Sequence, residues 1–578
     1  MITPAWRAAL TRGLRRKLTS YGDQDFSLFL RKAFIKAMGY SDDALDRPIV
    51  GITNTYSDYN PCHGNVPQLI EAAKRGIMLA GGMPMVFPTM SIHESFASPT
   101  SMYLRNLMAM ETEELVRAQP MDSVVMIGGC DKTIPAQLMA AASSDIPAII
   151  LPTGPMSTGS HKGERLGACT DCRRLWAQYR AGTIDDAEIE DINGRLASSV
   201  GTCTVMGTAS TIACMVEAMG LSLPMSGSAP ATSSERTRLA EETGRVATAL
   251  AQSGPTIGTL LTPTVVRTGL AVLQAMGGST NAIVHLAAVL GRLGRRLDLA
   301  ELDAIGRRVP VLVDLKPSGT GYMGEFHDAG GVPRLLEEIA EFIDLEAVTV
   351  TGATIGSIVG ALPPRYEDTV IRRRQDPVAP DGALAVLTGN LAPAGAVIKH
   401  SAASPALKQH VGRAVVFDSV EHMALALDAE DADIAADDVL VLRNAGPRGA
   451  PGMPEAGYIP IPRTLARQGV KDMVRISDAR MSGTAFGTIV LHVTPESAAG
   501  GPLAIVRTGD RISLDVPARR LDLLIDAAEF AARMAALPPA SAAPSRGYAQ
   551  LYDRHVLQAD EGVDFDFLRG DPTPDETH

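Results

Sequence analysis

Short apolar runs alternate with longer segments of helical period along the first part of the chain. Pro48–Thr53, Met83–Pro88, Asp122–Ile127 and Ala148–Leu151 are compact apolar-rich runs bounded by turn signals, the pattern of buried strands. Between them, 65–81 and 101–118 carry helical spacing, the first ended by Gly81-Gly82. Residues 205–220, rich in small and apolar side chains, and 281–294, opening after Gly277-Gly-Ser-Thr280, read as buried helices. Strands alternating with helices predict an α/β/α domain around a parallel or mixed sheet.

The pattern changes over 363–383, where Pro363-Pro364, Arg372–Arg374 and Pro377…Pro380-Asp-Gly382 make a polar, proline-rich stretch. A boundary placed there predicts an N-terminal domain over 1–375 and a smaller C-terminal one over 384–578. Beyond it, short β-like runs prevail at 384–388, 414–418, 438–443, 488–493, 503–507 and 511–515. They predict a mostly β, barrel-like second domain. The tail after Pro539, mixing Pro, Ala, Ser and acidic residues, reads as loose in part.

Composition narrows the class. The 578 residues are 46% hydrophobic, which excludes a largely disordered chain, and the net charge of −12 argues against a nucleic-acid partner. No stretch reads as a membrane span. The basic start (Arg7, Arg12, Arg15, Arg16, Lys17) lacks the long apolar core of a secretory signal and reads as a basic amphipathic first helix. A reducing cytoplasm is the expected compartment. The cysteines, at 62, 130, 169, 172, 203 and 214, are then structural, catalytic or metal-binding rather than a disulfide framework.

Gly128-Gly-Cys-Asp-Lys-Thr133 places a thiol, a carboxylate and an amine in succession at the end of a strand, where α/β folds gather ligands. Alternating backbone directions let Cys130 and Asp131 reach different neighbours. Cys62 and Cys203 also precede helices, whose N-termini favour thiolate. Three converging thiolates would suit an iron–sulfur cluster with one iron left open as a Lewis acid, although the spacing does not itself establish convergence. Cys169-Thr-Asp-Cys172 has no second pair to complete a zinc site and lacks thioredoxin flanks; it is more readily structural than functional. Cys214 reads as core packing. Asp131, Glu94 and Glu455 are oxygen donors of the kind that hold Mg²⁺, though each alone reads first as a solvated loop residue. Arg480-Met-Ser-Gly-Thr484 offers a serine in a loop, but no nucleophile-elbow motif or ordered His–acid pair accompanies it, so hydrolysis is a weak rival.

Pro61-Cys62, Gly129-Cys-Asp-Lys-Thr133, Gly201-Thr-Cys203 with Met206-Gly-Thr-Ala-Ser210, Gly277-Gly-Ser-Thr-Asn281, Gly389-Asn-Leu-Ala-Pro393, Pro451-Gly-Met-Pro-Glu455 and Asp478-Ala-Arg-Met-Ser-Gly-Thr484 occur in the order of the dihydroxy-acid and sugar-acid dehydratases. The chain resembles that family over roughly residues 20–570, and within it the pentonate branch typified by L-arabinonate dehydratase. Gly547-Tyr-Ala and Asp564-Phe-Asp-Phe-Leu-Arg-Gly570 add to the likeness.

The resemblance implies roles by position. Cys62, Cys130 and Cys203 match the cluster cysteines of a 2Fe–2S centre, with 4Fe–4S the less favoured type. Glu94, Asp131 and Glu455 match the carboxylates for Mg²⁺ or Mn²⁺, and Lys132 matches a lysine that is carbamylated into an anionic oxygen ligand. Ser482 matches the proposed base, with Thr484 beside it. The implied substrate is a small 2,3-dihydroxy acid, dehydrated to a 2-oxo-3-deoxy acid between the two domains of a homodimer or homotetramer. Two departures leave the particular substrate open. His63 stands where pentonate enzymes more often carry Asn, and Gly167-Ala-Cys-Thr-Asp-Cys172 replaces a cysteine-free stretch. The rivals are a dihydroxy-acid dehydratase of branched-chain amino-acid synthesis and, more remotely, an iron–sulfur sensor or electron carrier.

Overall fold

The computed structural model of the protein describes residues 12–18, 21–366, 368–538 and 544–571. Strands β1 (Ile49–Asn54), β2 (Met83–Pro88), β3 (Ser123–Gly128) and β4 (Ala148–Pro152) form a wholly parallel sheet in the order β2-β1-β3-β4. β3 and β4 are buried throughout, which is why they read as continuous apolar runs. β2 lies at the edge, where Pro84 and Pro88 remove no needed ladder donor. Helices Val66–Leu79, Ser101–Ala118 and Thr133–Ser143 make the crossovers, and Thr208–Ala218 and Asn281–Arg292 are almost wholly buried, Cys214 among their core residues. In this strand order the chain leaves β1 and β3 in opposite directions across the sheet. The carboxyl ends of those two strands therefore frame the crevice where parallel sheets bind ligands. A small antiparallel hairpin, β5 (Gly159–His161) and β6 (Glu164–Leu166), follows β4.

The C-terminal part is an eight-stranded mixed sheet in the order β14-β13-β9-β10-β11-β12-β8-β7. The strands are β7 (Ala385–Leu387), β8 (Gly395–Ile398), β9 (Gln409–Phe417), β10 (Val439–Leu442), β11 (Val474–Ser477), β12 (Ile489–Thr494), β13 (Arg511–Asp515) and β14 (Arg520–Leu523). Thr388, just past β7, pairs with Arg520 of β14, so the sheet nearly closes on itself as the barrel reading expected. The Thr388 N–H donates to Arg519 C=O at 3.0 Å and the Leu521 N–H to Thr388 C=O at 3.0 Å. On β10, Val439 and Val441 point into the barrel core, while Leu440 and Leu442 pack outward with Met423 and Leu427 of helix Val420–Asp428.

One expectation is corrected, and two fall partly outside the described residues. The run at 503–507 is a 3₁₀ turn, Pro502–Ile505: Leu503 and Ile505 supply the burial that made it look like a strand, and proline opens the turn. Of the tail, residues 544–571 are packed, and the rest of it lies outside the described residues. Helix Gly547–His555 delivers Tyr552, and beyond it Val556 and Phe565 join Met102, Val284 and Met453 in a buried cluster. The expected basic first helix lies largely outside the described residues, Arg7 included. Its described part, with Arg12, Arg15, Arg16 and Lys17, makes the 3₁₀ turn Gly13–Arg15, and the first α-helix among the described residues is Gln24–Ala37. No helix among the described residues is long and apolar enough to cross a membrane.

Candidate functional site

The carboxyl ends of the parallel strands deliver most of the chemistry-bearing residues. The loop after β1 ends in the 3₁₀ turn Pro61–His63 with Cys62; the chain after β2 reaches His93 and Glu94; β3 runs directly into Gly129-Cys130-Asp131-Lys132. Thr202 extends the edge beyond β4, exchanging backbone bonds with Gly154 (2.9 Å) and Met156 (2.9 Å), and so carries Cys203 to the same end.

Contacts between the loops are tight. A Cβ on Gly129 would stand 1.9 Å from Thr153 Oγ1 and 3.0 Å from the Cys62 carbonyl oxygen, so only glycine lets the two cysteine loops approach. Thr153 Oγ1 donates to that carbonyl at 2.8 Å. His63 is the bracket between the loops. Its Nδ1–H donates to Thr55 C=O at 2.8 Å, and its Nε2 accepts from the N–H groups of Gly129 (3.0 Å) and Cys130 (3.2 Å). Those partners fix the neutral Nδ1–H tautomer, and burial pushes the His63 pKa down to about 4.

Two groups of donors result. Ligand atoms of Cys62, His93 and Cys130 lie within 4.8 Å of one another, as do those of Glu94, Asp131 and Glu455. Cys203 lies outside the first group; its Sγ is 3.1 Å from Sγ of Cys169. A hydrogen bond with Cys130, burial and neighbouring acidic groups push the Cys62 thiol well above its usual range. Contact with Cys169 favours the Cys203 thiolate, yet burial and the nearby Asp131, Cys62 and Cys130 leave its pKa raised. Thiols crowded in this way ionise together when a cation joins them, and could hold a soft metal centre.

The carboxylates are knitted to two cations. Lys132, fully buried, donates to Glu94 at 3.0 Å and stands 3.6 Å from Asp131. Arg480 donates to Glu94 at 2.8 Å and to Glu455 at 2.5 Å. Burial would raise the Glu94 pKa, but Arg480 and Lys132 overcome it and hold the carboxyl well below its usual range. Glu455 is pushed up by burial and by Glu94, against the pull of Arg480. Three oxygen donors around an ammonium are a hard-cation donor set: a divalent ion fits where Lys132 now supplies positive charge, and carbamylation would turn the same amine into a further oxygen donor.

Glu455 and Arg480 come from the barrel side. Glu455 opens the 3₁₀ turn Glu455–Tyr458, whose Gly457 N–H donates to Arg480 C=O at 3.0 Å. The preceding loop is held by Thr100 Oγ1, donating to Gly452 C=O at 3.1 Å, and by Tyr552 Oη, accepting from Gly452 N–H at 3.0 Å. Two residues past Arg480, Ser482 and Thr484 share a 2.7 Å hydroxyl–hydroxyl bond and are both buried. A Cβ on Gly483 would meet Ser279 at 2.6 Å, so the turn is pressed against the Gly277–Thr280 loop. Asn281 Nδ2 donates to Met481 C=O at 3.0 Å.

The residues singled out in the sequence thus fall into one region. Sequence reasoning missed three others: the carboxylate partner Arg480, which stood unremarked inside a quoted motif; His93 beside the thiols; and Cys169, set aside because its C-x-x-C lacked a partner pair. A surface groove of about 730 Å³, lined by Trp176, Tyr179, Arg180, Asp428 and Arg463 among others, contains none of these groups.

An α/β domain and a barrel that jointly wall a site of thiols and carboxylates have known counterparts. Residues 47–358 match the dihydroxy-acid/6-phosphogluconate dehydratase N-terminal family and residues 369–563 its C-terminal counterpart, which makes the protein an enzyme of the dehydratase, or hydro-lyase, class. The chain belongs to the dihydroxy-acid/6-phosphogluconate dehydratase family. It is 46% identical over 582 residues to L-arabonate dehydratase of Azospirillum brasilense, covering 98% of this chain and 100% of that one. It is 46% identical over 538 residues to 6-deoxy-6-sulfo-D-gluconate dehydratase of Pseudomonas putida (92% and 93% covered). Identity to dihydroxy-acid dehydratase of Moorella thermoacetica is 37% over 541 residues (92% and 97% covered). The resemblance to the sugar-acid branch is borne out.

Proposed function

We propose that the protein dehydrates a 2,3-dihydroxycarboxylate, a sugar acid of the pentonate type, to the 2-oxo-3-deoxy acid. The carrying observation is the meeting of Cys62 and Cys130 with the Glu94–Asp131–Glu455 group across one strand end. A 2Fe–2S cluster on Cys62, Cys130 and Cys203 would supply a Lewis acid for the departing 3-hydroxyl, and Mg²⁺ or Mn²⁺ on Glu94, Asp131, Glu455 and carbamylated Lys132 would neutralise charge building on the substrate carboxylate and 2-hydroxyl.

Within that frame the chain's own groups divide the work. Ser482 Oγ, ionised once its own proton has passed to solvent, takes the C2 proton, and Thr484, 2.7 Å away, hydrogen-bonds that oxygen while it carries the negative charge; the proton taken then leaves with the departing hydroxide as water. Arg480 and Lys132 keep Glu94 ionised and ready to bind a cation. Loss of the C2 proton and the 3-hydroxyl leaves an enol, which takes a proton at C3 and becomes the 2-oxo acid. Atoms balance as substrate minus water, and no electrons are exchanged.

The sugar-acid reading is supported by the 46% identities to the arabonate and sulfogluconate enzymes, against 37% for the branched-chain type. We place the enzyme in the cytoplasm as a homodimer or homotetramer, as the pentonate branch implies. Side-by-side assay of L-arabinonate, D-xylonate and 2,3-dihydroxyisovalerate with anaerobically purified protein tests the reading. Turnover of a sugar acid well above the branched acid is expected; exclusive turnover of 2,3-dihydroxyisovalerate would overturn the substrate class.

A further inference from the structure

Cys169 is not among the residues that the cluster reading uses, yet its Sγ stands 3.1 Å from that of Cys203. The protein therefore presents two thiol pairs, Cys62 with Cys130 and Cys203 with Cys169, at the same end of the sheet. A 2Fe–2S cluster fully held by protein takes four thiolates, two for each iron. Two sulfurs on one tetrahedral metal, at metal–sulfur distances of about 2.3 Å, stand roughly 3.8 Å apart. A disulfide requires about 2.0 Å. The observed separation is nearer the first, and a small side-chain rotation reaches it.

The position of Cys169 is built. Its turn is fixed to the Cys203 segment by Thr204, whose N–H and hydroxyl both donate to Ala168 C=O, at 3.0 and 3.3 Å. Asp171, 1% exposed, accepts from Gly167 N–H (2.8 Å), Lys316 Nζ (2.9 Å) and Tyr322 Oη (2.8 Å). Cys172 closes the turn with its thiol on Cys169 C=O at 2.5 Å, which gives the second cysteine of the pair a local role. Thr170 Oγ1 donates to Thr484 C=O at 3.0 Å, tying the turn to the loop of Ser482.

We infer that Cys169 is a fourth, exchangeable thiolate ligand of the cluster, sharing an iron with Cys203 in the substrate-free enzyme and yielding that position to the substrate's 3-hydroxyl. The inference rests on the function proposed above. Ligation releases the Cys169 proton to solvent and displacement returns it; no electrons are transferred. The device shields the open iron from oxygen between turnovers.

Mössbauer and resonance Raman spectra of the anaerobic, substrate-free protein test it, with Cys169→Ala, Cys169→Ser and Cys172→Ala alongside. All four proteins are expected to hold two irons and two sulfides per chain. Wild type and Cys172→Ala should show both irons in all-sulfur coordination. The two Cys169 variants should each show one iron with an oxygen ligand, and their clusters should bleach in air at least threefold faster. Identical spectra and bleaching in all four proteins would overturn the inference while leaving the function standing. A Cys169–Cys203 disulfide found by mass spectrometry in cluster-bearing protein would overturn it as well. Loss of the cluster from both Cys169 variants, with Cys172→Ala intact, would contradict the exchangeable role. Iron and sulfide absent from every protein would defeat the proposed function, and this inference with it.

Discussion

At the scale of single residues, most of the candidate site was legible because its side chains sit in short, unusual strings. Gly129-Cys-Asp-Lys-Thr133 combines soft and hard donors at a strand end, and no ordinary turn needs that combination. Convergence was not legible, since Cys62, Cys130 and Cys203 are far apart in sequence and only the strand order brings their loops together. Cys169 was hidden for the same reason: besides its neighbour Cys172, its thiol meets that of Cys203 on another loop. Ser482→Ala is expected to lose between about a hundredfold and ten-thousandfold in kcat, the range for a lost general base, while iron content and the Glu94–Glu455 group persist. Retention of more than about a tenth of wild-type turnover would assign the base elsewhere. His63→Leu leaves the buried Cys130 N–H without its acceptor, at about 1–3 kcal/mol for an unsatisfied donor, and leaves Gly129 N–H with Thr133 Oγ1 alone. That variant should bind iron less firmly, read as faster loss of cluster absorbance to a chelator, with folding otherwise intact.

At the scale of elements, strands buried on both faces declared themselves as apolar runs, and β1, β3, β4 and β10 match the sequence reading to within a residue or two. β11 and β14 were missed because each carries charge within a few residues: Arg475 is buried but donates to Tyr458 C=O and Asp472, and Arg520 and Asp522 alternate with Leu521 and Leu523. β8 hides within a glycine- and alanine-rich segment and is followed by Lys399, a fully buried amine whose Nζ has no hydrogen-bond partner among the described residues. Burial pushes its pKa down to about 7. Between about 7 and the usual lysine value the unfolded chain binds the extra proton, so stability attributable to Lys399 rises with pH across that window, and the cost of the buried charge is fully present below it. Lys399→Met should accordingly melt higher than wild type at pH 7, with the gap in Tm narrowing toward pH 10. A gap independent of pH would show that the amine is not the cause.

At the scale of the whole molecule, the site exists only where the α/β part and the barrel meet. Arg480 of the barrel side joins Glu94 of the sheet side at 2.8 Å, and the packed tail holds the Glu455 loop through Tyr552. Composition and pattern gave no hint of the tail's part, because its aromatic residues are spread among polar ones. Removing one partner of a buried charge group typically costs about 3–5 kcal/mol. Arg480→Gln should therefore lower the Tm of the metal-free protein, and Mg²⁺ should restore more Tm in the variant than in wild type, because the cation replaces the missing guanidinium between Glu94 and Glu455. Equal Mg²⁺ effects in both would remove that group from the metal site. The central claim, dehydration by proton removal at C2 and hydroxide loss at C3, is tested most directly by turnover of L-arabinonate in deuterated water with no electron donor or acceptor present. The account predicts a 2-oxo-3-deoxy acid carrying solvent deuterium at C3. A product without deuterium at C3, or turnover that consumes an oxidant or reductant, would contradict it.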